Sequence, residues 1–166
     1  MPEQKTLERA RKDKREGKSP TTQAGEFVRE EMEHIRSGKH GARSTKQAIA
    51  IGLSKARKAG IDLPPPAKGK TSEKTRKSAA RAYAQGQKSH AHKTSPTRSR
   101  AITGVLKREG HQAASSQALS RQASQAARQR TAAERSASAR KGTRKRSPAE
   151  RSAAARKAAR TRARSA

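Results

Sequence analysis

Residues 19–66 read SPTTQAGEFVREEMEHIRSGKHGARSTKQAIAIGLSKARKAGIDLPPP. This segment holds nine of the 16 large apolar side chains (Val, Ile, Leu, Met, Phe, Trp or Tyr) of a 166-residue chain. Ser19-Pro20 is typical of a helix start, with serine as the cap and proline in the first turn. Apolar residues then recur at helical spacing from Ala24 to Ile35, which predicts an amphipathic first helix.

A second helix is predicted after a glycine-rich connection. The first helix should end at Ser37-Gly38, and Ser44 with Gln47 forms a capping box that opens the second. Gly60 suits the left-handed position that ends a helix. The segment therefore predicts a small helical hairpin of two amphipathic helices. A module of this size is marginal alone, which is consistent with a homodimer through residues 19–66.

Two stretches of the hairpin, QAGEFVREEM and RSTKQAIAIGLSKAR, resemble the core of an uncharacterised bacterial family of small basic proteins. That family is a domain of unknown function that is sometimes labelled DNA-binding. The resemblance covers under a third of the chain, implies a bacterial and cytoplasmic setting, and brings no catalytic residues with it. The Ala/Lys/Arg-rich remainder is similar in composition to the linker-histone-like tails of bacteria.

The charge of the chain is strongly uneven. Forty-two basic and 13 acidic side chains give a net charge of +29, and residues 67–166 carry 27 of the basic and four of the acidic groups. The same hundred residues contain only five large apolar side chains. Low hydrophobicity with high net charge is typical of disorder. We therefore expect a mostly disordered, low-complexity chain with α-helical segments, built as a small hairpin plus a long basic tail with nascent helices.

Four segments follow from these shifts in composition. Residues 1–18 are a charged N-terminal arm, 19–66 the hairpin, 67–98 a basic flexible linker, and 99–166 an Ala/Arg/Ser-rich basic tail. Within the tail a 16-residue repeat aligns 131–146 with 147–162 at ten identical positions. Each copy opens with a capping box, Thr131 to Glu134 and Ser147 to Glu150, which predicts two nascent basic helices.

These features favour non-sequence-specific nucleic-acid binding, with DNA as the partner more than RNA. Arginine outnumbers lysine twelve to three in residues 121–166, and its planar fork can hold phosphate oxygens with two hydrogen bonds. Phosphate contacts position a protein without reading sequence, which suits compaction or bridging in the nucleoid. The candidate nucleic-acid-binding residues are Arg98, Lys107, Arg108, Arg121, Arg128, Arg130, Arg135, Arg140, Lys141, Arg144, Lys145, Arg146, Arg151, Arg156, Lys157, Arg160, Arg162 and Arg164.

Several alternatives remain open at this point. The target could be RNA or the ribosome, or the hairpin could be a protein-interaction module with an accessory basic tail. The hairpin could also be a helix-turn-helix, although Ala48, Ile49 and Ile51 occupy positions where base-reading side chains would be expected. Ser95-Pro96-Thr97-Arg98 fits either a Ser-Pro-x-basic turn of DNA-binding tails or an ordinary turn.

Other function classes lack the residues that they need. Without cysteine there are no thiolate metal ligands, and His90-Ala-His92 is better explained as a solvated pair than as a metal site. Phe27 and Tyr83 are too few for modules that stack bases on aromatic rings. No catalytic constellation, cofactor fingerprint, signal peptide or apolar span is present in the sequence. We expect no enzyme activity, no cofactor, no metal, no membrane and no small-molecule substrate.

Overall fold

The structure is a computed structural model that describes residues 2–88, 95–144 and 147–165. It divides the chain into two compact units, residues 1–122 and residues 123–166. The described residues form eight α-helices: α1 (Gln4–Arg15), α2 (Pro20–Arg36), α3 (Thr45–Lys58), α4 (Glu73–Gly86), α5 (Pro96–Lys107), α6 (Ser116–Arg128), α7 (Ala132–Arg144) and α8 (Pro148–Ser165). One turn of 3-10 helix (Gln112–Ala114) precedes α6.

The expectation of a mostly disordered, low-complexity chain with a long disordered tail is therefore wrong. Helices occupy the N-terminal arm, the segment predicted as a flexible linker and the basic tail, as well as the hairpin. The prediction counted large apolar side chains and gave alanine little weight. In the structure, alanine supplies much of the core, with nine alanines buried in the first unit. Small side chains let helices approach closely, so that backbone atoms also contribute dispersion contacts.

The predicted helical hairpin is confirmed as α2 and α3. Gln47 N donates to Ser44 Oγ at 3.2 Å, and the Gln47 side chain accepts from Arg43 N at 2.8 Å, one residue before the position expected for a capping box. Gly38 and Gly60 end the two helices with φ of +75° and +84°. Both glycines adopt a left-handed conformation that side chains with a Cβ rarely tolerate.

Two further helices pack on the hairpin and make it the centre of a larger bundle. α1 lies against α2, and α4 lies against α3. The first apolar cluster joins Ala10 of α1 to Ala24 and Phe27 of α2 and Ala56 of α3, with Phe27 fully buried. These contacts cover apolar surface of the hairpin within a single chain, so a second copy is not required to bury it.

A second apolar cluster fixes the segment before α6 against the hairpin. Ala113 and Ala114 of the 3-10 turn pack with Met32, Ile35 and Ala48. The backbone carbonyl oxygens of the turn also accept hydrogen bonds from the hairpin, since Thr45 Oγ1 donates to Ala113 at 2.7 Å and Arg36 Nε donates to Ala114 at 2.8 Å. Residues outside the 19–66 segment thus complete the core.

The second unit differs because its helices have no buried residues. α7 and α8 expose every described side chain. α5, in the first unit, also leaves Ile102 and Val105 54% and 49% exposed. No helix in the ranges that the structure describes has the length and apolarity needed to cross a bilayer.

Candidate nucleic-acid interface

Local sequence accounts for the two helices of the basic repeat. In α7, Glu134 N donates to Thr131 Oγ1 at 3.1 Å and Thr131 N donates to Glu134 Oε2 at 2.9 Å. In α8, Glu150 N donates to Ser147 Oγ at 3.3 Å and Ser147 N donates to Glu150 Oε2 at 2.7 Å. Both predicted capping boxes are confirmed. Each helix also places its glutamate in the first turn and cations in the last, which complements the helix dipole.

The cations of α8 lie on two opposite sides of the helix. At about 100° per residue, Arg156, Lys157, Arg160 and Arg164 fall within an arc of about 100°. Arg151 and Arg162 fall on the other side of the axis, within about 20° of each other. We call the first set the wide stripe and the second set the narrow stripe. Alanine and other small residues separate the cations along the helix, and the described side chains of α8 are all exposed.

α7 repeats this arrangement because the two copies are 16 residues apart. Arg140, Lys141 and Arg144 share one side and, with Ala137, line a common shallow depression on the surface. Arg135 lies on the opposite side by the same helical count. The position that matches Arg162 of α8 is Arg146, which lies outside the described residues, as does its neighbour Lys145. The two-sided pattern is therefore a property of the repeat.

The remaining candidate residues lie outside α7 and α8. Arg98 and Lys107 are exposed on α5, and Arg108 follows directly. Arg121 and Arg128 are exposed on α6, and Arg130 follows it. Every candidate residue that the structure describes is exposed, but the stripes bring together only those of α7 and α8.

A further basic stripe, on α4, was missed by the sequence analysis. Lys74, Lys77 and Arg81 follow one another at spacings of three and four residues, which places them on one side of the helix. All three are exposed, while Ala79 and Ala82 are buried. Their spacing is visible in the sequence, but the segment was interpreted as a flexible linker, for which helical spacing has no meaning.

Arg76 of α4 does not belong to this stripe. Its guanidinium donates twice to the Glu73 carboxylate, at 2.9 and 2.6 Å. The hydrogen bonds from Arg76 lower the pKa of Glu73 below its usual range. A guanidinium held in this way has fewer N–H groups free for phosphate.

Two alternatives from the sequence can be compared with the structure. α3 lies in contact with α2, α4 and the 3-10 turn, and Ala48 is fully buried among them, which argues against α3 as a recognition helix in a DNA groove. Ser95-Pro96 begins a helix instead of forming a turn: Ser95 stands at the N-cap position of α5, without a side-chain capping hydrogen bond, and Pro96 is the first residue of the helix. The His90-Ala-His92 pair lies outside the described residues.

Comparison with known protein families finds a match within the first unit. Residues 11–68 match the model of a family of unknown function, DUF6496. The match covers the C-terminal end of α1, all of α2 and α3, and the proline segment after them. It agrees with the resemblance to an uncharacterised domain. No curated protein and no solved structure matches the chain.

Proposed function

We propose that this protein binds duplex DNA without sequence preference, through the exposed arginine and lysine side chains of α7 and α8. The observation that carries the proposal is the pair of basic stripes on two helices whose described side chains are all exposed. Residues 123–166 contain 14 basic and two acidic side chains, so the cations of this unit greatly exceed the carboxylates that could neutralise them.

Duplex DNA supplies the complementary charge at high density, one phosphate per roughly 1.7 Å of helix axis. α8 has 18 residues and spans about 27 Å, and it carries six basic residues against one acidic residue. Each arginine can hold a phosphate with two parallel hydrogen bonds. Binding releases the counterions condensed on DNA, which makes the affinity depend steeply on salt.

The two-sided arrangement favours bridging over wrapping. A helix with cations on one side only would lie along a single duplex and leave its other side to solvent. The wide stripe of α8 can contact the phosphates of one duplex while the narrow stripe faces a second. Most of the side chains between the cations are alanine, which offers no donor or acceptor to base edges, so little base readout is expected.

The resemblances noted in the sequence point the same way. The family label of DNA-binding and the linker-histone-like composition of the tail both agree with a protein that compacts DNA in a bacterial nucleoid. Any other polyanion would also attract the cations of α7 and α8. RNA is therefore the competitor that an experiment has to include.

The affinity test neutralises the wide stripe in the full-length protein. The variant combines Arg156→Gln, Lys157→Gln, Arg160→Gln and Arg164→Gln, and a control combines Lys5→Gln, Arg11→Gln, Lys14→Gln and Arg15→Gln on exposed positions of α1. Both lose four charges. At physiological salt we expect the α8 variant to bind random-sequence DNA at least roughly tenfold more weakly and the α1 control to change much less. Equal losses would contradict the proposal.

A second assay tests bridging and the choice of polymer. Full-length protein is added to immobilised duplex, and capture of a labelled second duplex is measured. Arg151→Gln with Arg162→Gln, which neutralises the narrow stripe, should reduce capture of the second duplex more than binding of the first. Structured RNA is then added as a competitor at the same nucleotide concentration as the DNA. If the RNA displaces most of the DNA, the protein prefers RNA and the RNA alternative is correct.

A further inference from the structure

Two histidines and a buried glutamate meet at the end of α2, within the first unit. Glu31 and His34 are three residues apart, so they lie on the same face of this helix. Gly38, in its left-handed conformation, then turns the chain and lets His40 return toward that face. One ligand atom from each of the three residues lies within 4.8 Å of the other two.

The distances suit coordination of a single ion. His40 Nε2 and Glu31 Oε1 are 3.4 Å apart. A tetrahedral ion with ligand distances of roughly 2.1 Å holds its ligand atoms about 3.4 Å from one another. His34 offers the third ligand atom, within 4.8 Å of the other two. The His34 and His40 side chains are each 14% exposed, which leaves a path for an ion from solvent.

The hydrogen bonds around the two imidazoles leave one nitrogen of each available. His40 Nδ1 is 3.0 Å from the Gly41 carbonyl oxygen, which can only accept, so a neutral His40 donates from Nδ1 and offers its Nε2 lone pair to a metal. His34 Nε2 is 2.8 Å from Glu3 Oε1, so a neutral His34 that donates to this carboxylate offers its Nδ1 lone pair. Metal-binding histidines usually donate their second N–H to a carbonyl or carboxylate in this way.

The surroundings of the third ligand, Glu31, favour a cation beside its carboxylate. Glu31 is fully buried; its Oε2 accepts from Lys55 Nζ at 2.6 Å, while its Oε1 has no hydrogen-bond partner. The adjacent Glu30 is also buried and shares the same lysine, at 3.6 Å. A buried carboxylate oxygen without a partner is costly. A divalent ion at Oε1 would supply that partner and offset the excess negative charge.

We propose that Glu31, His34 and His40 bind a divalent transition-metal ion of the zinc type, with the fourth position open to water. Two imidazole nitrogens and one carboxylate oxygen, without thiolates, form a donor set that zinc commonly accepts in proteins. Glu3 supports the site through its hydrogen bond to His34. Because Glu3 precedes α1 and His40 lies between α2 and α3, the ion fastens α1 and the connection to the end of α2. This site is separate from the proposed DNA interface and does not depend on it.

The test titrates metal-free, full-length protein with Zn²⁺ in competition with a chromophoric chelator, and follows thermal unfolding in parallel. We expect one equivalent to bind tightly and to raise the unfolding temperature, since a ligand that binds only the folded state stabilises it. His34→Gln and His40→Gln should each weaken binding by roughly tenfold or more and remove most of the thermal shift.

The matched control separates this site from the remaining histidines. A variant with His90→Gln, His92→Gln and His111→Gln keeps all three proposed ligands and should bind like the unaltered protein. Circular dichroism must show the same helix content in all variants, because His40 also faces the buried Glu31. The proposal is overturned if the unaltered protein binds Zn²⁺ no more tightly than the His34→Gln, His40→Gln double variant. Loss of the tight equivalent in the control variant would overturn it as well.

Discussion

The helices of the α2–α3 hairpin and the helices α7 and α8 have similar capping residues, but only those of the hairpin bury side chains in a core. At the start of α3, α7 and α8, an N-cap serine or threonine hydroxyl accepts from the backbone N–H three residues later. α3 then carries apolar residues into a core in which Ala48 and Ala56 are fully buried. α7 and α8 carry arginines at comparable spacings and bury nothing that the structure describes. Helix formation and helix packing are therefore separable in this chain, and only the packed helices should unfold together.

The largest expected difference concerns the core. Phe27→Ala removes a fully buried ring and should lower the free energy of unfolding by about 3–5 kcal/mol. The matched change in the second unit, Ala154→Gly, weakens helix propensity by about 1 kcal/mol and should only reduce the helicity of α8. Urea denaturation followed by circular dichroism measures both. A shift of the main transition by Ala154→Gly would show that the two units unfold together.

The next effect tests close packing within the hairpin. A Cβ on Gly52 would lie 2.7 Å from Val28 Cα, so Gly52→Ala should destabilise the protein by roughly 1–3 kcal/mol despite its better helix propensity. Gly25, in α2, has no neighbouring atom within 4 Å of such a Cβ. Gly25→Ala should therefore stabilise by up to about 1 kcal/mol. The account fails if the two substitutions change the urea midpoint in the same direction.

A smaller effect is expected when the N-cap serine of a helix is removed in each of the two regions. Ser44→Ala and Ser147→Ala each remove an N-cap oxygen, a change that costs about 1 kcal/mol in typical helices. Loss of the Ser44 cap should lower the stability of the whole bundle. Loss of the Ser147 cap should only speed amide exchange within residues 147–165, which mass spectrometry can localise. Slower exchange in that segment when DNA is added would confirm that the helix takes part in binding.

The smallest effect concerns the contact of α4 with the end of the hairpin. Tyr83 donates to Asp62 Oδ1 at 2.7 Å, and this hydrogen bond raises the pKa of the phenol above its ordinary value of 10.0. The contact therefore adds stability below pH 10, which is lost as pH rises through the higher native pKa. Because Tyr83 is the single tyrosine, an absorbance titration reports it directly. Asp62→Ala should lower the midpoint, and an unchanged midpoint would contradict the contact.

The sequence predicted the hairpin well because its signals are local. Proline after Ser19, the box at Ser44 and the glycines that end both helices all act within one turn. It predicted where the helices of the repeat begin for the same reason, but expected them only as nascent helices in a disordered tail, whereas α7 and α8 are formed helices. It failed for α1 and α4, which have no buried large apolar side chain and whose place in the core depends on the hairpin they contact.

The two candidate sites also differ in how far the sequence could predict them. The cations of α7 and α8 could be identified from composition, and their two-sided arrangement from helical spacing alone. The Glu31, His34 and His40 cluster could not, because His40 reaches the helix only through the turn at Gly38. The spacing of Glu31 and His34 was the available signal, but histidines without cysteine partners were not expected to bind metal.

The central claim is that the cations of α8 displace counterions from DNA, and the salt dependence of binding measures this most directly. For full-length protein on random-sequence DNA, log affinity should fall with log salt by about 0.9 for each phosphate neutralised. Neutralising the wide stripe should flatten that slope by roughly three to four units. Identical slopes for the unaltered protein and the wide-stripe variant would contradict the account.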